Sequence, residues 1–191
     1  MTPPHIRTAV RMFFEGGHSA PIFMLANAAR EIVEQIGGHT DVTTVQEELA
    51  RDQGLTVDAM LRPMKTIANF LKHADRDPTA TVDIDENAVV MVLQLACHDF
   101  GRTRGGMPIE AQVYEAWATA IAFRRVSDAP LRRQELIRKT IAHFPGIRSA
   151  DPTERRAIGL KVLNRALRDP SLEMDFSREV VLPARSDDDE R

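Results

Sequence analysis

The stretch SAPIFMLANAAREIVEQIGG, residues 19–38, sets the architecture. Ile22, Leu25, Ala26, Ala29, Ile32, Val33 and Ile36 recur at helical spacing and predict one continuous apolar stripe. Arg30, Glu31, Glu34 and Gln35 fall elsewhere on the helix. Ser19 is a good N-cap, and Gly37-Gly38 supplies a left-handed stop.

The same code extends in both directions. Upstream, Pro3 and Pro4 suit a helix start, Ile6, Val10 and Phe13 follow at helical spacing, and Gly16-Gly17 ends the element. Downstream, Thr43 to Asp52 reads as a short polar helix broken by Gly54. Thr56 caps a helix with Met60, Met64, Ile67, Ala68 and Leu71 toward the core; Pro63 inside it predicts a kink or a later start. Thr79 to Asp83 alternates and is β-branched, too brief for a sheet. Asp85 reads as an N-cap with Ile84 and Val89 as a hydrophobic staple, and Val89, Val92, Leu93, Ala96 and Phe100 form the following core face. Gly101 to Gly106 reads as a loop. Pro108 opens a helix facing inward through Ile109, Val113, Ala116, Trp117, Ala120 and Ile121. Asp128 caps another with Leu131, Ile137, Ile141 and Phe144, and FPGIRS (residues 144–149) is a loop. Asp151-Pro152-Thr153-Glu154 is close to a capping box, and Ala157, Leu160, Leu163 and Leu167 pack the last helix before Asp169-Pro170.

These readings predict an all-α helical bundle of about seven helices. The expected organisation is a single domain over residues 1–170, with a core bundle over 19–126 and basic helices over 128–169, followed by a disordered acidic tail over 171–191. The chain is 43% hydrophobic and 28% charged, which places it with soluble globular proteins. Cys97 is the single cysteine, so no intrachain disulfide can form and a reducing compartment is expected. Residues 1–7 lack a basic start followed by a long apolar run, and no stretch reaches the roughly 18 apolar residues of a membrane span. A cytoplasmic protein with no membrane partner is the expectation.

Charge is unevenly spread. Residues 1–120 carry 10 Lys/Arg against 16 Asp/Glu, residues 121–170 carry 12 against 5, and residues 171–191 carry 3 against 7. Arg124, Arg125, Arg132 and Arg133 lie close in sequence, while Lys161, Arg165 and Arg168 stand at i, i+4 and i+7 on the last helix. Such a surface suits phosphate or an acidic protein. The plainer account is a solvated face, or pairing with the acidic N-terminal half or the tail.

A second candidate is NFLKHADRDP, residues 69–78. Asn69 and His73 are one turn apart on one helix face, and Arg76 follows three residues on. Cations here also suit the negative end of the helix dipole, worth about 0.3–1 kcal/mol each. Together with IFMLANAAREIVEQI (residues 22–36), this segment resembles the HEPN family of helical bundles. The resemblance spans Ser19 to Phe100. It implies an acidic residue on one helix packed against an Arg-Asn-then-His motif on another, and a metal-independent endoribonuclease of prokaryotic defence or stress systems acting as a homodimer. It assigns the family's roles to Glu31, Asn69 and His73. The family's arginine position is Ala68 here, and Arg76 is the nearest substitute, since Arg62 lies roughly 16 Å along the axis from His73.

No cofactor-binding motif and no metal-ligand spacing is present, although His73, Asp75, Asp77, His98 and Asp99 are the residues a metal would use. Cys97 and His98 are adjacent and so do not face each other on a helix; Cys97 is expected in the core. Two functional expectations follow. One is a HEPN-like protein, active or degenerate, in RNA processing or in RNA or nucleotide binding. The other is a non-enzymatic helical adaptor that binds an acidic protein or nucleic acid through its basic C-terminal helices.

Overall fold

The computed structural model describes residues 4–37, 42–73, 79, 81–122, 126–128 and 131–172, and of residues 36, 37, 128 and 132 the backbone alone. Eight α-helices and no strand occur among the described residues: α1 (Pro4–Phe14), α2 (Ser19–Gly37), α3 (Val45–Asp52), α4 (Val57–Lys72), α5 (Glu86–Arg104), α6 (Ile109–Ala122), α7 (Leu131–Ala142) and α8 (Pro152–Ala166). The all-α expectation holds, with one helix more than the approximate count. Short 3-10 turns cover Val126–Asp128 and Pro170–Leu172. The acidic stretch from residue 173 onward lies outside the described residues.

Capping chemistry places the helix starts. Thr44 and Asp151 each accept from the backbone N–H three residues on while Glu47 and Glu154 reach back, completing two capping boxes. Thr56 accepts from the Ala59 N–H and Asp85 from the Ala88 N–H, as their sequence positions predict. Pro63 lies within α4, which runs unbroken from Val57 to Lys72.

The longest interface joins α2 to α5, and α1 packs on α2, α6 and α8. The inward face of α2 is Ile22, Phe23, Ala26, Ala29 and Val33. It is rotated from the predicted stripe. Ile32 is 36% exposed, whereas Arg30, expected elsewhere, is 1% exposed. The cause is the number of neighbours: α1, α5 and α4 surround α2, so the covered arc is wider than one apolar stripe and reaches the polar residues beside it.

The core is not confined to residues 19–126. Ile6, Val10, Phe13 and Phe14 of α1 are buried, as are Phe144, Ile147 and Leu163 from the C-terminal part. Phe13, Phe14, Tyr114 and Trp117 form an aromatic nucleus, with Phe13 and Phe14 edge-on to Trp117 at centroid distances of 5.2 and 5.7 Å. Gly159 of α8 approaches Phe14 so closely that a Cβ there would lie 2.3 Å from Cε1 of the ring.

Four local expectations are corrected. Helix α5 continues through Gly101 to Arg104, and the stop is Gly105, at φ 67°. The glycine at 101 is kept for space, since a Cβ would meet Met107 Cγ at 2.9 Å. Leu131 is 86% exposed, because it opens α7 at the periphery, where Ile137 and Phe144 supply the buried contacts. Ala157 is exposed; Gly159, Leu163 and Ala166 form the inner face of α8 instead. Asp128 closes a 3-10 turn three residues before α7, so it is not that helix's immediate N-cap.

Candidate functional site

Helix α2 brings a polar row to the ends of α3 and α4. Asn27 Nδ2 donates to Glu31 Oε1 at 2.9 Å. Arg30, buried despite its charge, donates from Nη1 to Glu34 Oε2 at 2.7 Å and to Gln46 Oε1 of α3 at 3.1 Å, and from Nε to Asn27 Oδ1 at 3.3 Å. Burying a guanidinium is tolerable only with its donors paired in this way. Nearby, Asp99 of α5 accepts from the Val45 N–H at 2.5 Å, serving one of the free amides that open α3. Burial raises the Asp99 carboxyl above its usual range, and the Val45 hydrogen bond opposes this in part.

The structure brings Glu31 to the end of α4: Lys72 Nζ lies 3.5 Å from Glu31 Oε2. His73 is the C-cap of α4, its backbone N–H donating to the Asn69 and Phe70 carbonyls. Its imidazole is exposed and has no hydrogen bond among the described residues, and Asn69 is exposed as well. Arg76 lies outside the described residues, as do Asp75 and Asp77. Glu31 is thus engaged with Asn27 and Lys72, and His73, the next residue after Lys72, is open to solvent. His98 pairs with Glu115 at 2.7 Å rather than with Asp99. Cys97 is fully buried and its thiol is pushed well up, by burial first and by the Glu115 charge second.

The second candidate surface lies at the other end of the chain. On α8, Arg155 and Arg156 turn inward. Arg155 Nε donates to the Ile147 carbonyl at 3.1 Å, and Arg156 pairs with Glu86 of α5 at 2.9 Å while its guanidinium sits 4.8 Å from the Phe13 ring centroid. Lys161, Arg165 and Arg168 are exposed and have no ion pair or side-chain hydrogen bond among the described residues. Beside them runs a half-open cleft of about 540 Å³ between α6, α8 and the loop after α7, floored by Val113, Ala116, Phe144, Val162 and Ala166. A smaller depression of about 290 Å³, which shares His143, Val162 and Arg165 with the cleft, continues to Ile158 and Lys161. Asp169 borders the cleft and stays ionised, its carboxyl held below the usual range by hydrogen bonds from Ser171.

The predicted basic set therefore divides. Lys161 and Arg165 stand on α8, while Arg168 lies in the turn just past its end, a departure from the helical stripe expected of all three; Arg133 is exposed on α7, which packs on α6. For Arg132 the backbone alone is described, and Arg124 and Arg125 lie outside the described residues.

Several polar residues that hold these elements were not singled out from sequence. Arg30 with Glu34 at i+4 was the available signal for the α2 network. Glu110 is fully buried in the first turn of α6 and accepts from Arg7 and Arg11 of α1, at 3.1 and 2.6 Å. The i, i+4 spacing of those two arginines pointed to a shared anion without naming it. Comparison with protein-family models, curated proteins and solved structures found no match for the chain.

Proposed function

We propose that the protein is a non-enzymatic helical binding module that takes an acidic protein onto the outer face of α8. The carrying observation is the partition of cations on that helix. Arg155 and Arg156 are used within the fold, while Lys161 and Arg165 on α8 and Arg168 just past its end have no ion pair among the described residues. The explanation that these cations serve the acidic N-terminal half thus has no support among the described residues. Like charges at i and i+4 disfavour a helix by about 0.2–0.5 kcal/mol per pair, a cost that an anionic partner relieves. An acidic protein fits better than a single-stranded nucleic acid, because among the described residues the cleft beside these cations is lined by one large aromatic, Phe144, which is buried and offers bases no stacking platform.

The test is fluorescence anisotropy of a labelled peptide of 12 glutamates titrated with the full chain. Binding that weakens steeply with salt, and is lost in the triple variant Lys161→Glu, Arg165→Glu, Arg168→Glu, is expected. Equal behaviour of the parent and the variant refutes the reading.

One observation favours the HEPN-like reading as a second. Glu31 pairs with Lys72 in the last turn of α4, the residue before His73, which supports reading the acid and the histidine as one site. On that reading His73 is the group that moves the proton. The full chain should then cleave RNA in the presence of chelator and His73→Ala should abolish cleavage without loss of helicity. Absent or surviving cleavage removes it.

A further inference from the structure

Resting on the α8 reading above, we infer that the partner is an amphipathic segment of another protein, with an apolar row seated in the α6–α8 cleft and a parallel acidic row along the cations. The periodicity of α8 supplies the template. Ile158, Val162 and Ala166 stand at i, i+4 and i+8 and line the two depressions. Lys161 and Arg165 form a second row one residue round the helix, and Arg168 follows in the turn just past its end, all three exposed. Apolar floor and cationic bank therefore run side by side for more than two helical turns, roughly 12 Å from residue 158 to 166.

This shape distinguishes the occupant. Charge alone would need only the cations. A compact apolar ligand would need one enclosed cavity, whereas here two half-open depressions adjoin through His143, Val162 and Arg165. An amphipathic helix with anchors at i, i+4 and i+8 and carboxylates beside them matches both rows at once, the mode in which a helix lays its apolar face into a groove. The acid at the end of the cleft, Asp169, sits beyond Arg165 in the chain, so the complementary peptide carries its carboxylates toward the Lys161 end.

Two labelled 18-residue helical peptides with identical glutamates test the inference on the full chain. One bears leucines at i, i+4 and i+8; the other bears glutamines there. The leucine peptide is expected to bind at least about tenfold more tightly, since burying even one leucine is worth that much. Arg165→Glu should lower its affinity at least about tenfold, and Ala116→Gln, which narrows the cleft from α6 without replacing a cation, should lower it too while leaving the glutamine peptide unaffected. Equal binding of the two peptides overturns the inference and leaves the broader acidic-partner reading standing. Absence of any acidic-peptide binding overturns both. Tighter binding of a single-stranded oligonucleotide of equal charge assigns the face to nucleic acid, and overturns it. A tenfold gain in leucine-peptide affinity on Phe176→Ser assigns the cleft to the chain's own terminal segment, and overturns it as well.

Discussion

Replacing Gly159 by alanine should destabilise the protein, although alanine is the better helix former. The new Cβ would stand 2.3 Å from Phe14 Cε1, 2.6 Å from Cδ1 and 3.0 Å from Cζ. Carbon atoms in contact prefer about 3.5–4.0 Å, so the ring must retreat by roughly 1 Å. It has little room to do so. Phe14 is 2% exposed, and its ring packs against Phe13, Tyr114 and Trp117 at centroid distances of 5.6, 6.2 and 5.7 Å. Overpacking of this kind costs about 1–3 kcal/mol, occasionally more. The gain in helix propensity offsets about 1 kcal/mol of that. A clash this deep belongs at the upper end, leaving a net loss of about 1–2 kcal/mol, or a fall in Tm of roughly 2–8 °C for a domain of this size. Urea and thermal unfolding followed by circular dichroism would measure it, with Asn164→Ala on the exposed side of α8 as the propensity control. Phe14→Leu should recover part of the loss in a double-mutant cycle, because the shortened side chain vacates the space. A Gly159→Ala protein as stable as the parent, or more so, would refute the close contact between α1 and α8.

Further outcomes follow from the buried polar groups. The Asp99 carboxyl is raised in the folded state, chiefly by burial, so its contribution to stability is greatest when protonated and declines as pH rises through the folded value; urea midpoints of the parent relative to Asp99→Asn should fall as pH rises above the ordinary carboxylate range. Glu110 behaves oppositely. Burial raises its carboxyl, but hydrogen bonds from Arg11 and Arg7 win and hold it below the usual range, so its contribution is present at neutral pH and lost as pH falls through that lowered value. Glu110→Gln should therefore cost about 1–3 kcal/mol at pH 7, the typical loss for a charged hydrogen-bonding group, with the deficit shrinking in acid. Asp151→Ala removes the side-chain half of a capping box, leaving the backbone N–H of residue 151 to Glu154, and should cost about 1 kcal/mol in chemical denaturation. Cys97 should resist iodoacetamide under native conditions and become labelled only at the rate of unfolding.

The helices were legible where their signals are local. Thr44, Thr56, Asp85 and Asp151 act on amides within their own first turn, and that chemistry is written in adjacent residues. What failed depended on neighbours distant in the chain. Gly101 reads as a loop residue until Met107 is seen to fold back over it. Arg30 reads as surface until Gln46 closes over it from α3. Leu131 reads as core because sequence cannot say that α7 lies at the edge of the bundle. Of the site residues, Lys161 and Arg165 lie on α8 at the spacing the sequence shows, Arg168 falls just past its end, and Glu31 pairs with Lys72, a contact between helices that spacing does not reveal. The cleft was not legible, since its floor joins Val113 and Ala116 of α6 to Val162 and Ala166 of α8 across about 50 residues of chain.

The burial of Phe13 and Phe14 also bears on synthesis. Their partners Tyr114 and Trp117 emerge from the ribosome about a hundred residues later, and Gly159 some 40 later still. At about 5–20 residues per second, the nascent α1 waits roughly seven to thirty seconds before its last partner appears. During that interval two phenylalanines on an amphipathic helix remain uncovered on their α6 and α8 sides, a natural target for a chaperone that captures short apolar segments.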